Sequence, residues 1–522
     1  NTDLAFTGVR TINTASGNIT IGGAISGAGG ITKNGSSTLT LSGNNTYSGA
    51  TTISAGTLSL TGNLANTAIT VAGSSVLTQG AASIISGTAS LTQNSSGTTT
   101  LSGTNTYSGG TTINAGTLQL GANSTSALGT GTVSVASGAT LAMDTRSLTV
   151  AGLSGSGTVA GLARGVSTVG DGSALITPNR NYSYLLDFGN SGAATVNGVA
   201  FSSVGTSGTG WALTGAGNIF NESASSGYTQ LMSDFYFNGS PGVLTFSSLT
   251  ANTTYQVVLY TQNGTWANRP QTATFTNGSQ VDTLSFDPGA VGGVVYNFVA
   301  QGTSANISMA PVNAGSTFHW FGASLEQVGT QMLTVGDSGN YTFSGNITGL
   351  VGLTKVGAGT LTLSSAANSY SGSTTVNAGT LSFATVANGG SNSGIGASSN
   401  ASTNLVLGGG TLLYTGANGS TDRNFTLTAA TNSTINVSNA ASTLTISGAS
   451  ANTNGGLIKD GSGTLLLTGN NTYTGGTTIN AGTLEIGGAG QLGSGSYAGA
   501  IALNGTGSTL SYNSTAAQTL SG

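Results

Sequence analysis

The chain has 522 residues, of which 87 are glycine and none is cysteine, and its 9 basic and 13 acidic residues leave a formal net charge of −4. The charged share of 4% is far below that of ordinary globular domains, while a hydrophobic share of 37% is too high for a disordered chain. The absence of cysteine excludes disulfides and thiolate chemistry. The small negative net charge argues against nucleic acid and anionic membranes as partners. The sequence also has no apolar run long enough to span a bilayer.

The first elements in chain order belong to a segment that occurs four times. The first copy, TLTLSGNNTYSGATTISAGTLSL, starts at Thr38, and the others start at Thr98, Thr360 and Thr464. Within a copy, apolar residues alternate with Thr and Ser, which predicts short strands. The intervening GNNTYSG and SAG segments are rich in residues that favour sharp corners. Each copy is therefore predicted to form strand, corner, strand, corner, strand.

The spacing between copies of the same side chain predicts how these strands are arranged. Leu39 and Leu58 are 19 residues apart, and so are Leu101 and Leu120. A chain that returns to the same residue in the same phase at this interval winds into coils, with leucine stacked on leucine. We expect a right-handed parallel β-helix, the usual hand for parallel crossovers.

The repeats resemble the autotransporter-associated β-strand repeat, also called the passenger-associated transport repeat. The matching pattern here is LTKVGAGTLTLSS followed by NSYSGSTTVNAGTL, from Leu353 to Leu381. This resemblance implies an extracellular or outer-surface β-helix from a Gram-negative bacterium, with a structural or adhesive role.

The middle of the chain has a different composition. All five prolines lie from Pro178 to Pro311, and all three tryptophans and the only histidine, His319, lie between residues 211 and 320. We therefore predict three parts: a β-helix over residues 1–177, an inserted domain over 178–329, and a second β-helical part over 330–522.

Short strand patterns such as SYLLDF, TTYQVVLY and VVYNFV predict that the inserted domain is an antiparallel β-sandwich of jelly-roll type. The stretch from Leu244 to Gly264 resembles carbohydrate-binding and galactose-binding-like modules. That resemblance implies a sugar site. The segment TQNGTWANRP offers Trp266, Asn268 and Arg269 on a loop, with Tyr228 and Asp234 as further candidates. In the alternative interpretation, which we favour, Trp211, Trp320 and His319 fill the sandwich core and Trp266 covers an edge.

One tyrosine stands at the same corner of each repeat, namely Tyr47, Tyr107, Tyr370 and Tyr473. We interpret these tyrosines as corner-packing residues rather than sugar platforms. Lys33, Lys355 and Lys459 also share one corner, where a solvated or carbonyl-capping role explains them without catalysis.

We predict no catalytic site. A β-helix that cleaves polysaccharide needs clustered carboxylates, whereas the acids of the solenoid stand one at a time. No metal site or cofactor is predicted either. A structural calcium ion held by Asp187, Asp234, Asp282 and Asp287 has little support, because no tight acidic loop is present.

Neither end of the chain carries a predicted cap, and the C-terminal sequence followed by the N-terminal sequence reads like the internal stretch 411–448. Two explanations stay open: copies that stack head to tail into a fibre, or a piece of a longer passenger. We therefore expect a non-catalytic extracellular structural protein whose first partner is itself. The alternative is an adhesin whose sandwich binds surface or matrix polysaccharide, and a polysaccharide-degrading enzyme is the third possibility.

Overall fold

The computed structural model describes residues 2–121, 126–176, 181–188, 193–215, 217–220, 231–232, 235–251, 253–261, 268–329 and 331–522. The described chain is built from β-strands and three short 3₁₀ helices, Gly172–Leu175, Ser402–Asn404 and Gly493–Gly495. No helix in these ranges is long and apolar enough to cross a membrane. Contacts divide the chain into two units, Asn1–Leu162 with Gln331–Gly522, and Ala163–Thr330.

The first unit is a parallel β-helix, as predicted. Its chain visits three faces in a constant order, and each strand pairs in parallel with the strand one coil away. Face one is a single 16-stranded sheet. Its strands are Arg10–Asn13, Ile31–Asn34, Thr51–Ile53, Ala68–Val71, Ser90–Gln93, Thr111–Ile113, Val133–Val135, Leu153–Gly155, Tyr341–Phe343, Thr360–Leu363, Thr380–Phe383, Thr411–Tyr414, Asn432–Val437, Gly456–Asp460, Thr477–Ile479 and Ile501–Leu503.

Faces two and three are interrupted, so each consists of several sheets. Face two contains Ile19–Ile21, Thr38–Leu41, Thr57–Leu60, Val76–Gln79, Thr98–Leu101, Thr117–Leu120, Thr140–Asp144, Thr158–Gly161 and Asn346–Thr348, and later Gly419–Thr421, Thr443–Ile446, Thr464–Leu467, Thr483–Gly488 and Thr509–Ser514. Face three contains Leu4–Ala5, Ile25–Ser26, Asn44–Asn45, Asn63–Ala65, Ile85–Ser86, Leu148–Val150, Gln331–Val335, Val351–Lys355, Thr374–Val376, Leu405–Leu407, Thr426–Leu427, Asn470–Asn471, Gln491–Leu492, Ser496–Tyr497 and Thr519–Leu520.

The predicted leucine stacks form the core of this unit. Leu39 pairs in register with Leu58, and both side chains are buried. The intervening threonines, such as Thr40, point away from the core and are partly exposed. Burial of each leucine stabilises the folded coil by about 1.5–3 kcal/mol. In a chain with so few charges, this apolar burial is the main interaction that holds the coils together.

A glycine corner precedes the third strand of each repeat. Gly56 has φ of +65°, and a Cβ there would lie 2.4 Å from the carbonyl oxygen of Gly35 in the preceding coil. The equivalent Gly482 has φ of +63°. Only glycine suits a corner that is both left-handed and this close to its neighbour.

The third repeat is rotated by one face relative to the other three. The lysine-bearing strands of the first and fourth repeats, Ile31–Asn34 and Gly456–Asp460, lie on face one, whereas Val351–Lys355 lies on face three. The insertion does not change the order of the faces, because Thr158–Gly161 on face two is followed by Gln331–Val335 on face three. The third repeat is rotated because its lysine-bearing strand falls one face earlier in this order than the equivalent strand of the other repeats. The core stacking continues because any of the three strands presents apolar residues inwards.

The second unit contains two six-stranded sheets with a shared apolar core, which agrees with the predicted antiparallel sandwich. The first sheet has, in spatial order, Gly165–Val169, Gly293–Val299, Thr254–Tyr260, Gly322–Gln327, Tyr182–Asp187 and Ser202–Ser203. The second has Ser207–Gly208, Trp211–Thr214, Gly242–Ser247, Ser304–Pro311, Gln271–Asn277 and Gln280–Phe286. Smaller sheets hold Asn218–Phe220, Phe235–Asn238 and Phe318–Trp320, and the hairpin of Thr195–Val196 with Val199–Ala200.

The second unit starts at Ala163, whereas the composition shift had suggested residue 178. The reason is that strand Gly165–Val169 pairs antiparallel with Gly293–Val299 at the edge of the sandwich. This strand has the same Gly, Val, Ser and Thr composition as the solenoid, so composition alone does not separate it from the coils before it.

Candidate functional site

The predicted sugar loop is described only in part. Trp266, Tyr228 and Asp234 lie outside the described residues. Asn268 adopts φ of +65°, and its backbone N–H donates to Asp287 Oδ2 at 2.6 Å. The Arg269 Nη1 donates to Thr317 Oγ1 at 3.2 Å. The structure therefore places two of the five candidates on one exposed turn, where each is held by a neighbouring segment of the sandwich.

His319 lies behind this turn. It is 3% exposed, its ring is 4.5 Å from that of Phe235, and its Nε2 is 3.2 Å from the hydroxyl of Thr317. Burial, followed by the positive charge of Arg269, lowers the pKa of His319 to about 4. At neutral pH the imidazole is therefore uncharged and forms part of the sandwich interior.

The two described tryptophans of the sandwich are buried. Trp211 and Trp320 both meet the ring of Phe188 edge-on, at centroid distances of 6.1 and 6.0 Å. Such edge-to-face contacts are typical of apolar cores. Neither indole is therefore on the surface as a stacking platform for a ligand.

Two of the acidic residues considered for calcium, Asp282 and Asp287, make local contacts within the sandwich. Asp287 accepts from the backbone of Gly289 at 3.0 Å as well as from Asn268, and Asp282 Oδ2 accepts from the hydroxyl of Tyr296 at 3.2 Å. Within the described ranges, no three His, Asp or Glu side chains come together as metal ligands would. Asp234, the fourth acid considered for calcium, lies outside the described residues.

The repeat lysines lie inside the β-helix and cap backbone carbonyl groups. Lys33, Lys355 and Lys459 are each at most 1% exposed. Lys33 Nζ donates to three carbonyl oxygens, those of Asn34 at 3.1 Å, Gly35 at 2.7 Å and Ala55 at 2.8 Å. Burial lowers the pKa of all three ammonium groups, to about 8 for Lys459. The carbonyl groups bound by Lys33 belong to its own corner and to the corner of the next coil, so lysines of this kind hold neighbouring coils together.

The repeat tyrosines are also interior. All four are fully buried, and the hydroxyl of each is hydrogen-bonded to a threonine hydroxyl four residues later. The pairs are Tyr47 with Thr51 at 2.7 Å, Tyr107 with Thr111 at 2.6 Å, Tyr370 with Thr374 at 2.8 Å and Tyr473 with Thr477 at 2.7 Å. Burial raises the pKa of Tyr47 to about 12, so the phenol stays protonated over the physiological range. No aromatic face is offered to a ligand at these corners.

A buried asparagine links neighbouring coils near each tyrosine. Asn45 Oδ1 accepts from the backbone N–H of Ile25 at 3.1 Å, and its Nδ2 donates to Asn63 O at 3.0 Å. In the third repeat the same role falls to Asn368, which accepts from Ile347 N at 2.9 Å. Because that repeat has one inserted residue, Asn368 lies five residues after Leu363, whereas Asn45 lies four residues after Leu41.

A buried arginine was missed from the sequence. Arg423 is 1% exposed and donates to backbone oxygens of the segment 387–398. The only sequence signal is a lone arginine between polar residues, in TDRN, which looks like an exposed corner.

Comparison with known proteins identifies the repeat. Residues 31–60, 91–120, 353–383 and 457–486 match the Passenger-associated-transport-repeat family. A 56-residue stretch is 57% identical to the Adhesin BmaC autotransporter of Brucella suis biovar 1 (strain 1330), covering 11% of this chain and 2% of that protein. The chain thus matches this relative over only a small fraction of the relative's length.

Among solved structures, the extracellular domain of ANXUR2 from Arabidopsis thaliana is 13% identical, with a TM-score of 0.24, and the match covers 30% of this chain and 51% of that one. The enzymatically active domain of tailspike protein 4 from bacteriophage CBA120 is 11% identical, with a TM-score of 0.19, and covers 62% of this chain and 63% of that one. Scores this low support no conclusion about fold or function.

Proposed function

The chain carries four passenger-associated transport repeats on a parallel β-helix, and from this we propose that it is a rod-forming part of a passenger displayed on or released from the cell surface. In this proposal the rod is a non-catalytic scaffold, and adhesion is the activity that it serves. The local relative in Brucella suis is itself called an adhesin.

The observation that supports a scaffold role most directly is the use of the repeat's polar side chains. The tyrosine and asparagine of each repeat, and the lysine of three of the four repeats, are buried and hydrogen-bonded between or within coils. These are the residue types that would otherwise supply acid–base chemistry or ligand contacts. Their contacts between and within coils account for their presence in the repeat without a catalytic or ligand-binding role.

Surface display and adhesion are tested together on cells that carry the whole parent protein. We expect extracellular protease and antibodies against this chain to reach it on intact cells, and we expect adhesion to fall when residues 1–522 are deleted. Retention of the chain inside the cell would contradict the proposal. Product release from a panel of polysaccharides would favour an enzyme instead.

We further propose that the outer coils pair with additional parallel coils. Strands Arg10–Asn13 and Ile501–Leu503 are the edges of the 16-stranded sheet, and Val9 and Leu503 beside them are 62% and 52% exposed. Either a second copy or adjoining passenger sequence can supply the pairing strand. Electron microscopy of the purified chain at rising concentration separates these, since filaments indicate stacking copies and single rods indicate adjoining sequence.

A sugar site on the sandwich is the finer form of the adhesin proposal. It is supported by the turn that carries Asn268 and Arg269, next to the segment with Trp266. A glycan array with the intact chain tests it. Unchanged binding by a Trp266→Ala variant would exclude this location.

A further inference from the structure

One coil of the solenoid departs from the short corners seen elsewhere. Residues 384–404 run between strands Thr380–Phe383 and Leu405–Leu407, where the first repeat has only the short strand Asn63–Ala65 and its flanking corners. Ile395 in this segment is 2% exposed and belongs to the core cluster of the β-helix. The long segment is therefore anchored in that core at Ile395. We call residues 384–404 the excursion loop.

The excursion loop is fastened by Arg423 from the following coil. Its guanidinium donates to Ser398 Oγ at 2.7 Å, Ser398 O at 2.9 Å, Gly396 O at 2.9 Å and Ala387 O at 3.3 Å. Thr421 Oγ1 also donates to Ala387 O, at 2.8 Å. Because several charge-assisted bonds converge on it, the loop is fixed before any ligand arrives, which lowers the entropic cost of binding.

A groove lies beside this fastened loop, on face two. It has a volume of about 500 Å³ and is lined by Val386, Asn418, Gly419, Ser420, Thr443 and Thr445. Ser420 and Thr445 are direct partners in the parallel ladder, so their side chains lie next to each other on the outer face. The groove is open to solvent along its length, so an extended molecule can lie in it without a change in the coils.

The polar groups of the groove are available to a ligand. Asn418 Oδ1 accepts from the backbone N–H of Thr443 at 2.8 Å, which fixes that side chain. In the described part of the chain, the hydroxyl groups of Ser420, Thr443 and Thr445 make no hydrogen bond to protein. Each hydroxyl can donate one bond and accept two.

The chemistry of the lining selects the ligand class. None of the six lining residues is charged, and Val386 supplies one small apolar wall. The charged neighbours are engaged elsewhere, since Arg423 is bonded to the excursion loop and Asp422 Oδ1 accepts from Gly389 N at 2.7 Å. Free hydroxyls, an amide and an apolar wall without charge match an uncharged polyhydroxylated molecule.

We infer that this groove between the excursion loop and strand Gly419–Thr421 binds a short segment of an uncharged oligosaccharide. The inference goes beyond the proposed scaffold function, because it places a ligand site on the rod itself, separate from the sandwich candidates. Sugar hydroxyls exchange bonds with Ser420, Thr443 and Thr445, and one sugar C–H face contacts Val386.

The test measures binding of the intact chain to cello-, malto-, laminari- and chitohexaose by titration calorimetry. A Ser420→Ala/Thr445→Val double variant removes two hydroxyls from the floor and keeps the size of the side chains similar. We expect the wild type to bind at least one of these probes and the double variant to bind it at least tenfold more weakly. The matched control, Thr52→Val/Thr112→Val, removes two outward hydroxyls from face one and leaves affinity unchanged.

Three outcomes would overturn the inference: binding to none of the four probes, equal affinity of wild type and double variant, or loss of affinity in Trp266→Ala alone. Circular dichroism and thermal unfolding establish that the double variant is folded, and Thr445→Ser, which keeps the hydroxyl, provides a second variant that should bind normally. Surface display of the chain does not depend on oligosaccharide binding in the groove. A negative binding result would therefore overturn this inference and leave the proposed scaffold function untouched.

Discussion

Thr99 donates a hydrogen bond from its hydroxyl to Gln93 Oε1 at 2.7 Å, inside the second repeat. In the first repeat the same two places are held by Lys33 and Leu39. Gln93 Nε2 caps the carbonyl groups of Ser95 and Gly97, at 3.0 and 3.2 Å, as the lysine caps its own corner. The amide has an oxygen that the ammonium lacks, and Thr99 satisfies it.

We predict that Thr99→Leu destabilises the second repeat, because it leaves a buried amide oxygen without its donor, at a cost of about 1–3 kcal/mol. Native-state hydrogen exchange of strands Ser90–Gln93 and Thr98–Leu101 measures this locally. Adding Gln93→Lys recreates the pair of the first repeat and should recover most of the loss. A double variant less stable than Thr99→Leu would contradict the idea that the two residues are exchanged as a pair.

The tyrosine corners are predicted to differ in their sensitivity to loss of the phenol hydroxyl. Tyr107→Phe removes the bond to Thr111 Oγ1 and leaves that buried hydroxyl without a side-chain partner among the described residues, which should cost about 1–2 kcal/mol. Tyr370→Phe should cost less, because Thr374 Oγ1 keeps its bond to Ile395 O at 3.1 Å. Hydrogen exchange at both corners compares them, and equal losses would show that the second partner does not compensate.

The sandwich is predicted to lose stability as pH falls from about 6.5 to about 4. In the unfolded chain His319 takes up a proton near its ordinary pKa of 6.5, whereas in the folded chain its pKa is about 4. Between these values the unfolded state binds more protons, so acid favours unfolding, by about 3 kcal/mol over the window.

His319 is the only histidine, and all three tryptophans lie in the second unit. Tryptophan fluorescence during urea unfolding at each pH therefore follows the sandwich alone. His319→Gln should flatten the dependence between pH 6.5 and 4, and an unchanged slope in that variant would assign the effect to the carboxyl groups.

Arg423→Met is predicted to release the excursion loop while the coils persist. The variant loses every guanidinium bond to Ala387, Gly396 and Ser398. Limited proteolysis should then cut within residues 384–404 at least ten times faster than in the wild type. Asp422→Asn provides the control, because its amide oxygen can still accept from Gly389 N. Resistance of Arg423→Met to cleavage would mean that the remaining contacts, from Thr421, Asp422 and the buried Ile395, are enough to hold the loop.

The 19-residue recurrence of Leu39 and Leu58 was enough to predict the parallel coils, since a stacked core requires the same side chain once per turn. The rotation of the third repeat was not predictable in this way. Spacing within a repeat sets which residues point inwards, but it carries no information on the face at which a repeat starts. That face depends on the number of strands between two repeats, and strands such as Leu148–Val150 and Gln331–Val335 lie outside the repeat sequence.

The groove was missed for a related reason. Its floor joins Ser420 to Thr445, which lie in successive coils of irregular sequence, and its wall comes from a loop whose anchor, Arg423, reads as an exposed polar residue. The sandwich loop was easier to suggest because an indole and a guanidinium stand close in sequence. Local composition can indicate a site whose residues are close in sequence. It does not indicate a site whose residues come from neighbouring coils.

The rotated third repeat has a consequence for how such a protein can change over generations. Adding or removing a third of a coil leaves the leucine stacking intact, yet it turns every downstream surface about the helix axis by one face. A patch that recognises a target can thus be aimed at a different side without altering any residue that forms it. Small insertions in the coils therefore offer a way to reorient recognition surfaces while the interior stays the same.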